Sequence, residues 1–386
     1  MGKDIPVIIG IILIICMIIT VFTGCLEQDS DSNETPAIIH QDQPCVLPSW
    51  KDGDYHDYYG TIQTLNDFND KYPDLVSIFS VGKSVLGKDI WCIRITNEMN
   101  NSEKESCLID GCIHGVEWEA GEACLYLAEY LLRNFGTNDT INNILNTTDI
   151  FIIPLVNPDG RQNDEVGNDN GVDLNRNFDI FFGRLRSRVY RLGKLFGKIK
   201  IPYIKVPSVH PGYGWFRNSG RYAFSEPESQ ALRDFMISLS YHDFSFYVNC
   251  HTAWHNIMTP VPWAKSILNP PFTITGQENI VFDYVKKWVE TNTEYEADKS
   301  QENKVGGATV EWCFNEFRIP SFTYEILSID YDAWSGEQKH DHLVHWMKTT
   351  LPVFMYLLVN IENLHNWKIP DIEPQLPEGI PPPPLK

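Results

Sequence analysis

Positive charge is scarce in this chain. Lysine and arginine number 31 against 51 aspartates and glutamates, a formal net charge of −20. That balance argues against a general nucleic-acid binder and for an acidic, solvated surface. No Cys-x-x-Cys pair occurs among the nine cysteines, so a cysteine-built zinc site is not expected. No internal repeat is present, which sets aside a stacked-repeat architecture. One stretch lacks the opposite sign: residues 181–221 hold no aspartate or glutamate but carry Arg184, Arg186, Arg188, Arg191, Lys194, Lys198, Lys200 and Lys205. With Leu185, Val189, Leu192 and Phe196 interleaved, this basic insertion fits an amphipathic helix on anionic lipid or an acidic partner. It equally fits a solvated excursion that balances the acidic body.

What is present bounds the class. A chain of 386 residues corresponds to one large or two ordinary domains, and 43% hydrophobic with 12% aromatic residues suffices for a core. Ile5 to Phe22 is nearly unbroken apolar sequence, followed by Thr23-Gly24-Cys25. Residues 1–25 therefore read as a signal peptide or membrane anchor, with Cys25 a candidate for lipidation. Residues 26–49 are polar, with Pro36, Pro44 and Pro48, and read as a tether. Sequons at Asn33, Asn100, Asn138 and Asn146 agree with export. The expected location is the extracellular face of the cell membrane, or a secreted form. Seven cysteines lie beyond Cys25; the odd count leaves at least one free and the pairing open. The stretch from Glu27 to Pro48 is too short to fold as a domain of its own.

Periodicity places the elements. Helical spacing covers residues 59–72, 119–135, 141–145, 279–292, 308–317 and 340–359. Strands are expected at 76–81, 89–96, 107–113, 149–156, 244–250 and 321–327. Ser225 suits the cap of a helix running to Leu239, with Pro227 in its first turn and Glu228 completing a capping box. Asn157-Pro158-Asp159-Gly160 is a turn by composition. Strand and helix in alternation predict an α/β fold: a mixed, mostly parallel twisted sheet with helices on both faces, in a single large domain over residues 50–362. Residues 363–386 read as a proline-rich, disordered tail.

Chemistry gathers at strand ends. An apolar run ends at His114, and Glu117 follows three residues later, where a helix begins. This edge of an open α/β sheet is where ligands bind, and mixed N and O donors suit zinc. A second strand ends in His251-Thr252; His251 follows the apolar run directly and is a better ligand than His255. Glu325 stands inside an apolar strand, where an unpartnered carboxylate would be costly. Asn175-Arg176 offers an amide and a planar fork of donors, as carboxylate capture requires, or else is a structural turn.

With these residues in order, the chain resembles the zinc metallocarboxypeptidase family of the pancreatic carboxypeptidase type, from about Tyr55 to Leu358. The motifs are His114-Gly-Val-Glu117-Trp118, Asn157-Pro-Asp-Gly160, Gly171-Val-Asp-Leu-Asn-Arg-Asn-Phe178, Ala223-Phe-Ser-Glu-Pro-Glu228, His251-Thr252 and Phe322-Thr-Tyr-Glu325. The resemblance implies one Zn²⁺ per chain on His114, Glu117 and His251. It implies Glu325 as general base, and Asn175 and Arg176 on the substrate's C-terminal carboxylate. Peptide or protein C-termini would be the partners, with the membrane met through the N-terminal segment, no nucleic acid, and a monomeric chain.

The pattern departs from the family in places. Val116 stands where an arginine is common, and the oxyanion arginine falls to Arg161, to Arg217 or Arg221, or to none. The family's mobile tyrosine is replaced at its place by Asn303 and Lys304, with Tyr295 further off. Val310, at the pocket-floor position, favours an apolar or aromatic C-terminal residue. Two alternatives to an exported carboxypeptidase stay open: an amidase on cell-envelope peptides with the same fold, and an inactive, tethered binding protein.

Overall fold

The chain meets its first hairpin after α1 (Tyr58–Lys71), a helix capped where Asp57 Oδ1 accepts the Gly60 N–H at 2.7 Å. β1 (Val76–Lys83) and β2 (Asp89–Ile95) pair antiparallel across a turn whose Gly87 has φ +80. β3 (Glu105–Asp110), α2 (Trp118–Asn134), α3 (Asp139–Thr147), β4 (Thr148–Ile153) and α4 (Pro158–Asn163) follow. After a 3-10 turn at Leu174–Arg176 come α5 (Pro227–Leu239), β5 (Phe244–Thr252), β6 (Asn256–Met258) and α6 (Gly276–Asn292). β7 (Glu296–Ala297), α7 (Thr309–Phe317), β8 (Ser321–Ile326), α8 (Gly336–Val359) and α9 (Ile361–His365) complete the order. This computed structural model describes residues 55–180, 182, 218–252, 254–260, 273–297, 306–326 and 336–374. The anchor or signal segment 1–25, the tether 26–49, most of the basic insertion, Arg217, Asn303, Lys304 and residues 375–386 lie outside the described residues. Among those described, no helix is long and apolar enough to cross a membrane.

One eight-stranded sheet runs in the order β1-β2-β4-β3-β5-β8-β6-β7. Its centre, β4-β3-β5-β8, is parallel, and antiparallel strands flank it. The mixed, largely parallel sheet expected from the alternation of elements is therefore present. Every residue of β5 except Thr252 is buried, so both sheet faces are covered there. Helices α2, α7 and α9 all pack on β5.

Four local expectations change. β3 stops at Asp110 rather than Ile113, because Cys112 turns left-handed at φ 51 and its thiol donates to the Glu117 carbonyl at 3.2 Å. His114 thus sits in a loop. Asn157-Pro-Asp-Gly160 opens α4 instead of a plain turn: Asn157 Oδ1 caps the Gly160 N–H at 2.9 Å and Pro158 fills the first position. At α5 the cap residue is Glu226 and makes no side-chain capping bond; Ser225 Oγ donates to the Glu226 carboxylate at 2.6 Å. The tail boundary at 362/363 is also corrected, since residues 363–374 pack on the body. Trp367 Nε1 donates to the Arg318 carbonyl at 2.8 Å, Tyr356 Oη to the Pro370 carbonyl at 2.6 Å, and Trp288 Nε1 to Glu373 at 2.8 Å. β6 and β7 were not foreseen, being too short to carry a period.

The loop bearing His114 is pressed against α4. A Cβ on Gly115 would lie 2.0 Å from the Gly160 carbonyl carbon and 2.3 Å from the Arg161 nitrogen, both backbone. Gly115→Ala is expected to destabilise the fold by about 1–3 kcal/mol or more, measured by denaturant unfolding; a change below about 0.5 kcal/mol, the scale of a neutral surface substitution, would refute the tight contact.

Candidate metal centre

Three elements converge on one point. The loop after β3 supplies His114, the residue capping α2 supplies Glu117, and the end of β5 supplies His251. One ligand atom from each lies within 4.8 Å of the others. The Glu117 carboxylate stands between the imidazoles, with Oε1 2.8 Å from His114 Nδ1 and Oε2 2.7 Å from His251 Nδ1. Burial alone would raise the Glu117 carboxyl, but the two imidazoles outweigh it and hold it well below the usual carboxylate range.

The far ring nitrogens also face acceptors. His114 Nε2 meets Asp173 Oδ1 at 3.0 Å, and His251 Nε2 meets Asn249 Oδ1. Each imidazole therefore has an oxygen at both nitrogens. Two protons on each ring would satisfy this at the expense of two like charges with ring centroids 4.8 Å apart. A divalent cation among the two Nδ1 atoms and Glu117 satisfies it without that repulsion. Two imidazoles and one carboxylate, with a carboxylate behind one imidazole, are the donor set of a catalytic zinc site with an open position. The residues fit zinc.

Glu325 lies on β8 in register with His251 on the adjacent parallel strand, so both side chains share a sheet face. It is half-buried. Asn175 is turned inward: Oδ1 accepts the Thr309 N–H at 2.9 Å and Nδ2 approaches His251 Nε2 at 3.2 Å. Arg176 is half-buried, and its Nη1 donates to the Asn175 carbonyl at 2.6 Å. Val310 follows Thr309 in the first turn of α7 and is buried in the core.

Arg161 is engaged elsewhere than the expectation of an oxyanion partner supposed. Its guanidinium lies 3.3 Å above the Trp118 ring and donates to the His56 carbonyl, beside the buried carboxylates Glu119 and Glu122. That is the geometry of a packing, charge-balancing arginine. Tyr295 is fully buried with Oη 2.6 Å from Thr350 Oγ1, and His255, which is not one of the three clustered ligands, packs tilted against the Tyr295 ring and edge-on to Trp346. Three residues of the centre were not anticipated: Asp110, Asp173 and Asn249. Their signal was present, since Asp110 and Asn249 are polar residues inside apolar strands, as Glu325 is.

Fold and site together define an open α/β protein with a candidate metal centre where the loop after β3 meets the end of β5. A family model for zinc carboxypeptidases matches residues 61–332, and the chain belongs to that family. It is 22% identical over 286 residues to carboxypeptidase A1 of Bos taurus, covering 69% of this chain and 62% of that one. It is 35% identical over 111 residues to a zinc carboxypeptidase of Saccharothrix mutabilis subsp. capreolus, 28% of this chain and 26% of the relative. The solved structure of carboxypeptidase A from Helicoverpa armigera matches with a TM-score of 0.57 at 19% identity, over 80% of this chain and 74% of that one. The chain thus spans less than two thirds of the curated relatives' lengths.

Beside the centre, Glu119 is buried and accepts the Tyr55 hydroxyl at 2.9 Å. Burial, with the Glu122 and Glu117 charges adding to it, pushes its carboxyl up to about 7. The unfolded chain releases this proton near the ordinary value of about 4.3. Between those values the folded state holds more protons, so its stability falls as pH rises. Glu119→Gln keeps the acceptor for Tyr55 without the charge. Its gain in Tm over wild type is expected to be larger at pH 8 than at pH 5; equal gains at both would refute the assignment.

Proposed function

We propose that the chain is an exported, membrane-tethered zinc metallocarboxypeptidase that hydrolyses the C-terminal peptide bond of peptides or proteins. One observation carries this reading: His114, Glu117 and His251 converge, and Glu325 stands in register beside His251. Zinc held by the two Nδ1 atoms and Glu117 would act as a Lewis acid and lower the pKa of a coordinated water toward about 7. Glu325 takes the proton of the attacking water and passes it to the leaving amine. Arg176 grips the substrate's terminal carboxylate, which restricts cleavage to the last residue. Asn175 braces that grip from behind, through Thr309 and the 3-10 turn. Val310 favours an apolar or aromatic final residue.

Export and tethering rest on residues 1–25 and the sequons. The full-length chain is expected to fractionate with membranes, and a chain beginning at residue 50 to stay soluble; a full-length chain found only in the soluble cytoplasmic fraction would count against the anchor.

The activity is tested with the full-length chain on blocked dipeptides of varied final residue. One zinc per chain is expected, with turnover of dipeptides ending in apolar residues. Glu325→Gln should keep the zinc and lose about 10²–10⁴-fold in rate. A zinc-loaded chain that turns over none of the panel would favour the inactive binding protein.

A further inference from the structure

We infer that Asn249, set by the buried carboxylate of Asp110, is a positioning residue that fixes which ring nitrogen of His251 faces the metal. The inference rests on the zinc reading above. Asp110 and Asn249 are register partners on the parallel strands β3 and β5, and both are fully buried. Asn249 Nδ2 donates to Asp110 Oδ1 at 2.5 Å, and the Tyr247 hydroxyl donates to Asp110 Oδ2 at 2.8 Å. A carboxylate with two donors aimed at it accepts, so the Asn249 amide can present only its nitrogen to Asp110. Its Oδ1 is thereby turned to His251 Nε2, two residues along the same strand face. An amide oxygen there requires a proton on Nε2, which leaves the Nδ1 lone pair free to point at Glu117 and the metal.

The neighbouring amide does not compete. Asn175 Nδ2 lies 3.2 Å from the same nitrogen, and as a donor it would favour the opposite tautomer. The Asn175 orientation is held by the Thr309 N–H, so its amide cannot turn over to help. The Asn249 oxygen is held on that nitrogen by the bond of its amide to Asp110, and this contact decides the tautomer. The centre thus has two devices for one task. His114 is oriented by a carboxylate directly, and His251 by a carboxylate acting through an amide.

The test measures zinc affinity by chelator competition on the full-length chain, with the visible spectrum of the cobalt-substituted protein as a second readout. Asn249→Leu removes the acceptor and is expected to weaken zinc binding about 10–100-fold. Asn249→Asp restores an acceptor oxygen at the same place, and its affinity is expected to stay within about 3-fold of wild type, although the second buried carboxylate lowers Tm. A merely structural role would make affinity follow stability, weakening both variants alike. That result, or wild-type affinity in Asn249→Leu, overturns the inference. Should the leucine variant fail to fold, long-range proton–nitrogen NMR on zinc-loaded wild type labelled at histidine decides: a proton on His251 Nε2 supports the inference and a proton on Nδ1 overturns it. Wild type that takes up no zinc would overturn this inference together with the proposed function.

Discussion

The arrangement turns on one carboxylate shared by two imidazoles. Glu117 is the residue at which a loop becomes a helix, and it reaches His114 on one side and His251 on the other. Neither contact is local to the sheet. His114 arrives because β3 is cut short by the left-handed Cys112, and His251 because β5 runs on to Thr252. A one-residue slip of β5 against β3 would turn His251 to the other face and bring Cys250 into its place. Register in the central parallel strands is therefore a condition for the metal centre, and the burial of β5 from Phe244 to His251 fixes that register.

Placing so many polar groups inside apolar strands has to be offset. Each buried donor or acceptor left unsatisfied costs about 1–3 kcal/mol, so Asp110, Asp173, Asn175 and Asn249 could together remove most of a domain's net stability of about 5–15 kcal/mol. They do not, because each is bonded to the next: Tyr247 and Asn249 to Asp110, His251 to Asn249, Asn175 to Thr309, His114 to Asp173. Such a network leaves few alternative rotamers. The same bonds that remove the desolvation penalty hold the ligands in place, so stability and preorganisation are here a single property.

The elements and the ligands were legible because they follow periods and motifs. An apolar run leading into histidine did mark the end of β5 at His251, whereas His114 lies four residues past the end of β3; Glu325 stood out as a lone glutamate in the apolar run that forms β8. The supporting residues were harder to see, although Asp110 and Asn249 break apolar runs in the same manner. Their role depends on Asp110 and Asn249 being register partners, and strand order cannot be read along the chain. Arg161 illustrates the reverse error. Its place after Gly160 made it a candidate for the substrate's carbonyl, yet its distance from Trp118 and His56 along the chain hid the partners that engage it.

The 3-10 turn that carries Arg176 and the surroundings of His251 are also mechanically joined. A Cβ on Gly307 would lie 2.1 Å from the Arg176 carbonyl oxygen, so the turn leading into α7 approaches the 3-10 turn as closely as a backbone can. Gly307 has φ +85, a conformation that itself favours glycine. Two residues on, Thr309 donates its N–H to Asn175, whose amide borders His251. The 3-10 turn is thus clamped between α7 and the metal ligand. Displacing Arg176 would require moving either the start of α7 or the Asn175 amide, and the second cannot move without disturbing the surroundings of His251. Under the proposed function, this rigidity would hold the Arg176 grip at a fixed distance from the metal centre, as cleavage one residue from a chain end demands.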